Sequence, residues 1–355
     1  MRKIKIAQIG VAHDHACVTF KSLTKQTDIF EVVGYCDPEK ELEYEPYTGK
    51  TTLAGYEYRN DYRLNPEMYG DYPELTLEEV LNYPGLDAVT IETSETNLFK
   101  YAQMAADKGL HVHMDKPGGV GYADFEKLVN TFKGNGTVLH MGYMYRYNPE
   151  VRQVLSDIKA GKYGEIYSVE CQMSTRHPDE KRAWMKRYPG GMMFFLGCHL
   201  IDLIYQIQGE PEEVIPMNCA TGINGIPVGE DFGFAVLKYK NGVSFAKATS
   251  VEPGGFMRRQ FVVCGSLGTV ELRPLEAFAN GKGGSALYTN TRDVDGDIFN
   301  WGNDGYKRAS SYDRYDGMMR AFAEYVCGEK ENPYTMDYEL RLYKLLMKAC
   351  GFKED

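Results

Sequence analysis

An apolar run from Ile4 to Ile9 stops at Gly10, and a helix-like pattern follows through Val18, Phe20 and Leu23. A second apolar run, Phe30 to Cys36, ends in Asp37-Pro38. Strand, glycine turn, helix, strand, acid is the layout of a dinucleotide-binding βαβ unit. It constrains the fold strongly, because parallel neighbouring strands need a crossover connection. The free N–H groups and positive dipole end at a helix N-terminus suit a pyrophosphate. An acid ending the second strand accepts from a ribose 2′-hydroxyl and repels a 2′-phosphate, so Asp37 favours NAD over NADP. The glycine pattern is partial: Gly10 holds its first position, Ala12 its second and His15 its third. Such a turn also occurs in α/β proteins that bind nothing there.

The α/β rhythm breaks over residues 40–73, which carry Tyr44, Tyr47, Tyr56, Tyr58, Tyr62, Tyr69 and Tyr72. A surface excursion whose tyrosines pack on their own domain or on another subunit is expected, with a lid as the alternative. The rhythm then resumes. Thr76 and Glu79 form a capping-box pattern at the start of a short helix. Ala88 to Ile91 reads as a strand, with Thr93 and Ser94 at its end, where α/β sheets place ligand contacts. A helix over Asn97 to Lys108 leads to a strand, His111 to Met114, that ends in Asp115-Lys116-Pro117. A lysine held at a strand end is a poised cation, and Pro117 fixes the exit of the chain. A helix over Tyr122 to Phe132 and a strand over Thr137 to Tyr143 follow.

After Pro149 the pattern changes. One helix, Val151 to Ala160, precedes strands at Ile166–Met173, Glu213–Cys219, Phe232–Tyr239, Gly242–Thr249, Gln260–Cys264 and Gly268–Leu272. Turn signals such as Lys240-Asn241-Gly242 join them, so an antiparallel sheet in an α+β domain is expected. Two helices close the chain. The expected division is a Rossmann domain over residues 1–120 and an α+β substrate and oligomerisation domain over 121–335. The last helix, about 336–352, is expected to pack back on the first domain.

Gly190 to Asp202 reads as an apolar helix with His199 and Asp202 one turn apart. A histidine facing a cleft can take a proton from an alcohol. A core histidine satisfied by a backbone carbonyl or by Asp202 fits the same spacing. Arg176 to Trp184 reads as a loop, either a source of donors and an aromatic face for a sugar or a solvated connection. His111 and His113 read as structural. His177, His199, Asp202, Cys198 and Cys171 have no metal-ligand spacing, so no metal is expected.

The net charge of −10 and the lack of a Lys/Arg block argue against a nucleic-acid partner. Residues 1–7 do not read as a secretory signal, and Gly191 to Ile207 is too short and polar to span a bilayer. Eight cysteines without a Cys-x-x-Cys pair read as reduced thiols, hence a cytoplasmic protein with no membrane partner.

Four stretches together resemble the glucose–fructose oxidoreductase / inositol dehydrogenase / MocA (Gfo/Idh/MocA) family, over nearly the whole chain. Asp115-Lys116-Pro117 is similar to its Glu-Lys-Pro motif, and the run from Asp87 to Pro117 follows its pattern without a gap. Gly142 to Pro149 resembles the entry to its second domain. Gly190-Gly191 through Gly197-Cys198-His199-Leu200-Ile201-Asp202 resembles its glycine pair and Gly-x-His-x-x-Asp segment. The resemblance implies an α/β Rossmann-type domain plus an α+β domain with a large, mostly antiparallel sheet. It also implies a homodimer or homotetramer joined through that sheet, and nicotinamide chemistry on a sugar or polyol. By position, Lys116 and His199 would be catalytic. Gly10, Ala12, His13, Asp37, Thr93, Ser94, Asp115 and Lys116 would border NAD. Tyr143, Arg176, His177, Trp184, Phe195 and His199 would meet the substrate.

Three departures stand out. Phe195 replaces the aspartate that the family often has four residues before its histidine. The glycine turn is eroded, and Ser94-Glu95 and Leu98 replace the usual Pro-Asn and His. The expected activity is NAD-dependent hydride transfer at a carbohydrate or polyol hydroxyl carbon. A redox-neutral glycoside-cleaving or epimerising enzyme, and a non-catalytic nucleotide-binding regulator, are the alternatives.

Overall fold

The computed structural model describes residues 1–352 apart from 41–49, 54–55, 60–65, 227, 280–281 and 292–305. The chain forms two units. One comprises Met1–Leu53, Glu57–Met144 and Tyr315–Tyr343; the other comprises Ala54–Tyr56, Tyr145–Arg314 and Lys344–Asp355.

The first unit holds a parallel sheet of β1 (Ile4–Ile9), β2 (Phe30–Cys36), β3 (Ala88–Ile91), β4 (His111–Met114) and β5 (Leu139–Met141), in the order β2-β1-β3-β4-β5. Helices α1 (Ala16–Lys25), α2 (Leu77–Leu81), α3 (Leu98–Asp107) and α4 (Tyr122–Asn135) connect the strands. Thr76 and Glu79 make the expected capping box at α2. β1, β3, β4 and β5 are almost fully buried because helices cover both faces of a parallel sheet, while the edge strand β2 is only partly buried. The unit extends past residue 120, where the sequence placed its end. β5 pairs with β4, and Phe125, Leu128, Val129 and Phe132 of α4 are buried in it. The first part of the last helix, Met336–Ala349, belongs to this unit. Its Tyr343 hydroxyl donates to the Gly119 carbonyl and accepts from the Gly121 N–H.

Of the Tyr-rich stretch, Tyr44, Tyr47 and Tyr62 lie outside the described residues. Tyr69 and Tyr72 pack on Phe20 of α1, with ring centroids 4.8 and 5.3 Å away, so this end serves the core of its own domain.

The register fixes which residues reach the carboxyl edge of the sheet. Cys36, Ile9, Ile91, Met114 and Met141 form one row across the five strands. One step further, the N–H groups of Gly10, Glu92, Asp115 and Gly142 each donate to the preceding row. Gly10 has φ +98°, and a Cβ there would come within 2.5 Å of the Thr93 nitrogen. Only glycine lets the exit of β1 lie so close to the exit of β3.

The second unit holds a nine-stranded sheet. Its strands are β6 (Ile166–Gln172), β7 (Glu213–Pro216), β8 (Phe232–Tyr239), β9 (Gly242–Thr249), β10 (Gln260–Gly265), β11 (Gly268–Leu272), β12 (Ala277–Ala279), β13 (Lys282–Thr291) and β14 (Tyr306–Tyr312). The order is β12-β13-β11-β10-β6-β9-β8-β7, with β14 beside β13. Pairing is antiparallel except between β6 and β9. Alternate residues of β8, among them Ala235 and Leu237, are fully buried, as an antiparallel sheet with one covered face requires. The second unit also has helices α5 (Pro149–Lys159), α6 (Asp179–Trp184) and α7 (Cys198–Gln208), and α7 lies against β6 and β9.

Two expectations are corrected here. Residues 179–184 form a helix, not a loop: Pro178 precedes it, Asp179 and Glu180 occupy its first turn, and Lys181 and Arg182 its last. That charge order matches the helix dipole. The apolar segment from Gly190 is not one regular helix. Gly190 (φ +68°) and Gly191 (φ +46°) turn the chain, Met193–Gly197 forms a π-helical turn, and α7 begins at Cys198. A Cβ on Gly191 would come within 2.1 Å of the Glu230 carbonyl oxygen, which explains the glycine.

Candidate active site

The sheet order reverses between β1 and β3, and ligands of open α/β sheets bind at such a switch point beyond the carboxyl ends of the strands. The turn after β1 and the segment after β3 meet there. The His13 N–H donates to the Glu92 carbonyl at 3.0 Å. The His13 ring is buried, with Nδ1 3.2 Å from Asp115 Oδ2 and 3.6 Å from Glu92 Oε2. Its Nε2 lies 3.3 Å from the Lys116 carbonyl oxygen and 3.8 Å from Glu95 Oε1. His15, at the N-cap of α1, sets Nδ1 2.9 Å from the same Asp115 Oδ2. Asp115 Oδ1 also accepts from the Lys116 N–H at 2.6 Å. Lys116 is only 1% exposed.

Burial sets the charges of this cluster. It pushes the His13 imidazole down to about 3, so His13 is neutral at physiological pH. Burial and the adjacent Asp115 charge push the Glu92 carboxyl well up. Burial also opposes ionisation of Asp115, but its histidine neighbours and the Lys116 ammonium hold it well below the usual carboxylate range.

Asp37 ends β2 half-buried, and its Oδ1 accepts from the Glu39 N–H at 3.1 Å. Glu39 is fully buried and accepts from the N–H and hydroxyl of Ser94, both at 2.7 Å, and from the Asn97 amide at 2.6 Å. Two donors of Ser94 are thus committed to Glu39. Thr93 is buried beside Gly10.

These residues fit a dinucleotide. The α1 N-terminus lies at the sheet edge behind a tight turn with small, buried Ala12, and Asp37 follows the end of the neighbouring strand. They would hold a pyrophosphate and a ribose hydroxyl respectively.

In the second unit, His199 is buried on α7 with the Tyr145 ring edge-on at 5.3 Å. The Tyr145 hydroxyl donates to Glu276 Oε2 at 2.8 Å, and Arg259 and Arg314 also bind the Glu276 carboxylate. Asp202 is claimed by Arg146: Nε reaches Oδ1 and Oδ2 at 3.2 and 3.1 Å, and Nη2 reaches Oδ1 at 2.8 Å. Gln206 donates to Asp202 as well. The carboxylate one turn from His199 therefore serves chiefly to anchor α7.

Phe195 is 3% exposed and stacks on Tyr188 at 5.9 Å, with Trp184 and His177 edge-on at 6.1 and 6.4 Å. The Lys181 ammonium lies 5.4 Å from its ring centroid. Of the residues expected to meet substrate, His177, Trp184 and Phe195 are thus brought together. Arg176 is exposed and bridges to Val251 through its backbone, and Tyr143 is buried just after β5 in the first unit.

Sequence reasoning missed Glu92, Glu95, Glu39 and the metal-like grouping of His13, His15 and Asp115. A signal existed. Asp37, Glu92 and Asp115 each directly follow an apolar strand, so in a parallel sheet all three land on one edge. No helix among the described residues is long and apolar enough to cross a membrane.

Residues 4–143 match the family profile described as "Oxidoreductase family, NAD-binding Rossmann fold", and residues 151–271 match "GFO/IDH/MocA C-terminal domain". The rhizopine catabolism protein MocA of Rhizobium meliloti is 29% identical over 149 residues, 42% of this chain and 46% of that protein. A D-xylose 1-dehydrogenase (NADP(+)) of Haloferax volcanii is 25% identical over 181 residues, 50% of this chain and 53% of that protein. The chain thus spans about half the length of these curated relatives. The aldose-aldose oxidoreductase of Caulobacter crescentus, solved with glycerol, shares the fold at a TM-score of 0.73. It is 17% identical, over 98% of this chain and 96% of that one.

Proposed function

Since the chain belongs to the GFO/IDH/MocA family of oxidoreductases, we propose that it transfers a hydride between a sugar or polyol hydroxyl carbon and the nicotinamide of NAD. The observation that carries this is Lys116, a buried lysine beside Asp115 at the carboxyl edge of the sheet, next to the glycine turn. Bound NAD supplies the hydride acceptor. Lys116 Nζ donates a charge-assisted hydrogen bond to the substrate oxygen, and this bond strengthens as that oxygen gains charge. The His199 imidazole takes the hydroxyl proton, the role that the family resemblance gives it. Asp37 selects NAD, because a 2′-phosphate beside its carboxylate would be repelled.

A panel of sugars and polyols assayed by NADH absorbance tests the proposal. In Lys116→Met, turnover is expected to fall at least about 100-fold, the scale of losing one oxyanion-stabilising donor, with NAD binding kept. Wild-type rates in that variant refute the role.

One observation favours a second outcome. Phe195, at the position of the family's aspartate, is locked into an aromatic cluster. Substrate consumption with retained NAD and no net NADH signal would mark a redox-neutral reaction instead.

A further inference from the structure

We propose that His13, His15 and Asp115 form a binding site for a divalent first-row transition-metal ion of the zinc type, with Glu92 as a fourth ligand. The inference does not rest on the hydride-transfer reading; it rests on four features of the first unit.

The first is convergence. His13 Nδ1 and His15 Nδ1 lie 3.2 and 2.9 Å from one oxygen, Asp115 Oδ2, and one ligand atom from each residue falls within a 4.8 Å span. Bonds of about 2.0–2.1 Å at tetrahedral or right angles put neighbouring ligand atoms about 2.9–3.4 Å apart. Each imidazole nitrogen therefore already stands near a coordination-shell separation from Asp115 Oδ2.

The second is orientation. His13 Nε2 faces the Lys116 carbonyl oxygen at 3.3 Å, while Nδ1 receives the His15 N–H at 3.2 Å. Both contacts are satisfied by the tautomer with hydrogen on Nε2. Ligation through Nδ1, which has one lone pair, would exchange the His15 N–H for the ion. A second nitrogen held by a carbonyl is the usual outer support of a metal-binding histidine.

The third is Glu92. It is fully buried, Oε2 lies 3.6 Å from His13 Nδ1, and neither carboxylate oxygen meets full hydrogen-bond geometry among the described residues, with Thr19 and Asp115 its near polar neighbours. Buried carboxylate oxygens are normally satisfied, and an ion among these groups would satisfy them.

The fourth is charge. Two carboxylates, Glu92 and Asp115, stand against the His13 imidazole. Carboxylate ligands offset the charge of a buried dication, and Glu92 would give up its proton on ligating one. Two imidazole nitrogens with carboxylate oxygen select zinc, iron, cobalt or nickel over magnesium and calcium, which prefer all-oxygen shells. His15, 16% exposed against 1% for Asp115, marks the side from which an ion enters.

The test uses the full chain, stripped with a chelator and titrated calorimetrically with Zn2+, Co2+ and Mg2+. One Zn2+ or Co2+ per chain is expected, with no Mg2+ binding of comparable strength. His15→Gln and Asp115→Asn should each weaken Zn2+ binding at least about 100-fold, since loss of an outer-shell partner alone costs 10–100-fold. His111→Gln, a histidine outside the cluster, should leave it unchanged. Equal Zn2+ affinity in wild type and in His15→Gln overturns the proposal, as does a preference for Mg2+. Imidazole 15N NMR of the wild-type chain gives a readout that no folding defect can obscure. The His13 and His15 resonances must shift on Zn2+ addition, and their standing still overturns the proposal.

Discussion

Replacing Arg146 by methionine should loosen the helix that carries His199. Arg146 and Asp202 are each 1% exposed and joined by three contacts of 2.8–3.2 Å. Removing one partner of a buried pair costs about 3–5 kcal/mol, because the other charge stays buried. Gln206 still donates to Asp202 at 2.9 Å, so the low end applies, about 3 kcal/mol. At about 1.4 kcal/mol per tenfold, the folded-to-unfolded ratio of the second unit should drop roughly 100-fold. The chain has two tryptophans, so a Trp301→Phe background leaves Trp184, buried in the second unit, as the fluorescent reporter. Urea titration should show the midpoint shift with an unchanged slope. The double change Arg146→Met, Asp202→Leu should recover most of the loss, since apolar replacement of a buried pair is often neutral. A single-variant loss under about 1 kcal/mol would refute the argument, and so would a double variant no more stable than the single one.

Asp37→Ser should raise the preference for NADP over NAD at least about tenfold, or about 1.4 kcal/mol, by removing the repulsive carboxylate; competitive titration of the two dinucleotides reads the ratio. Glu276 is held below its ordinary value of 4.5: burial opposes this, but Arg314 and Arg259 outweigh it. A depressed carboxyl contributes stability above its unfolded pKa and loses it as pH falls through the folded one. Glu276→Gln should therefore lower stability at pH 7 and flatten its decline on acidification below 4.5, read by urea unfolding over a pH series.

Local patterns were legible in the sequence because their causes are local. The bounds of β1, β2, β8 and β9 follow from apolar runs closed by Gly10, Asp37-Pro38 and Lys240-Asn241-Gly242, and the capping box at Thr76 needs only four residues. The end of the first domain was misplaced because β5 has only three residues, and its pairing with β4 is a tertiary fact. Asp202 looked like a partner for His199 because spacing shows neighbours on one helix. Its main partner, Arg146, is 56 residues away. His15 and Asp115 are 100 residues apart, and only the strand register brings them to one edge.

The π-helical turn at Met193–Gly197 bears on what the chain tolerates. A turn of this kind holds one residue more than an α-helical turn of the same span. Deleting a single residue there would let the segment close into regular helix of nearly the same sweep, so Cys198 to Gln208 would keep close to their present angle. A deletion within regular helix instead turns everything beyond it by about 100°, one residue's share of a 3.6-residue turn. The π turn is thus a place where this apolar stretch can lose a residue while Asp202 stays with Arg146 and His199 stays at the edge of Tyr145.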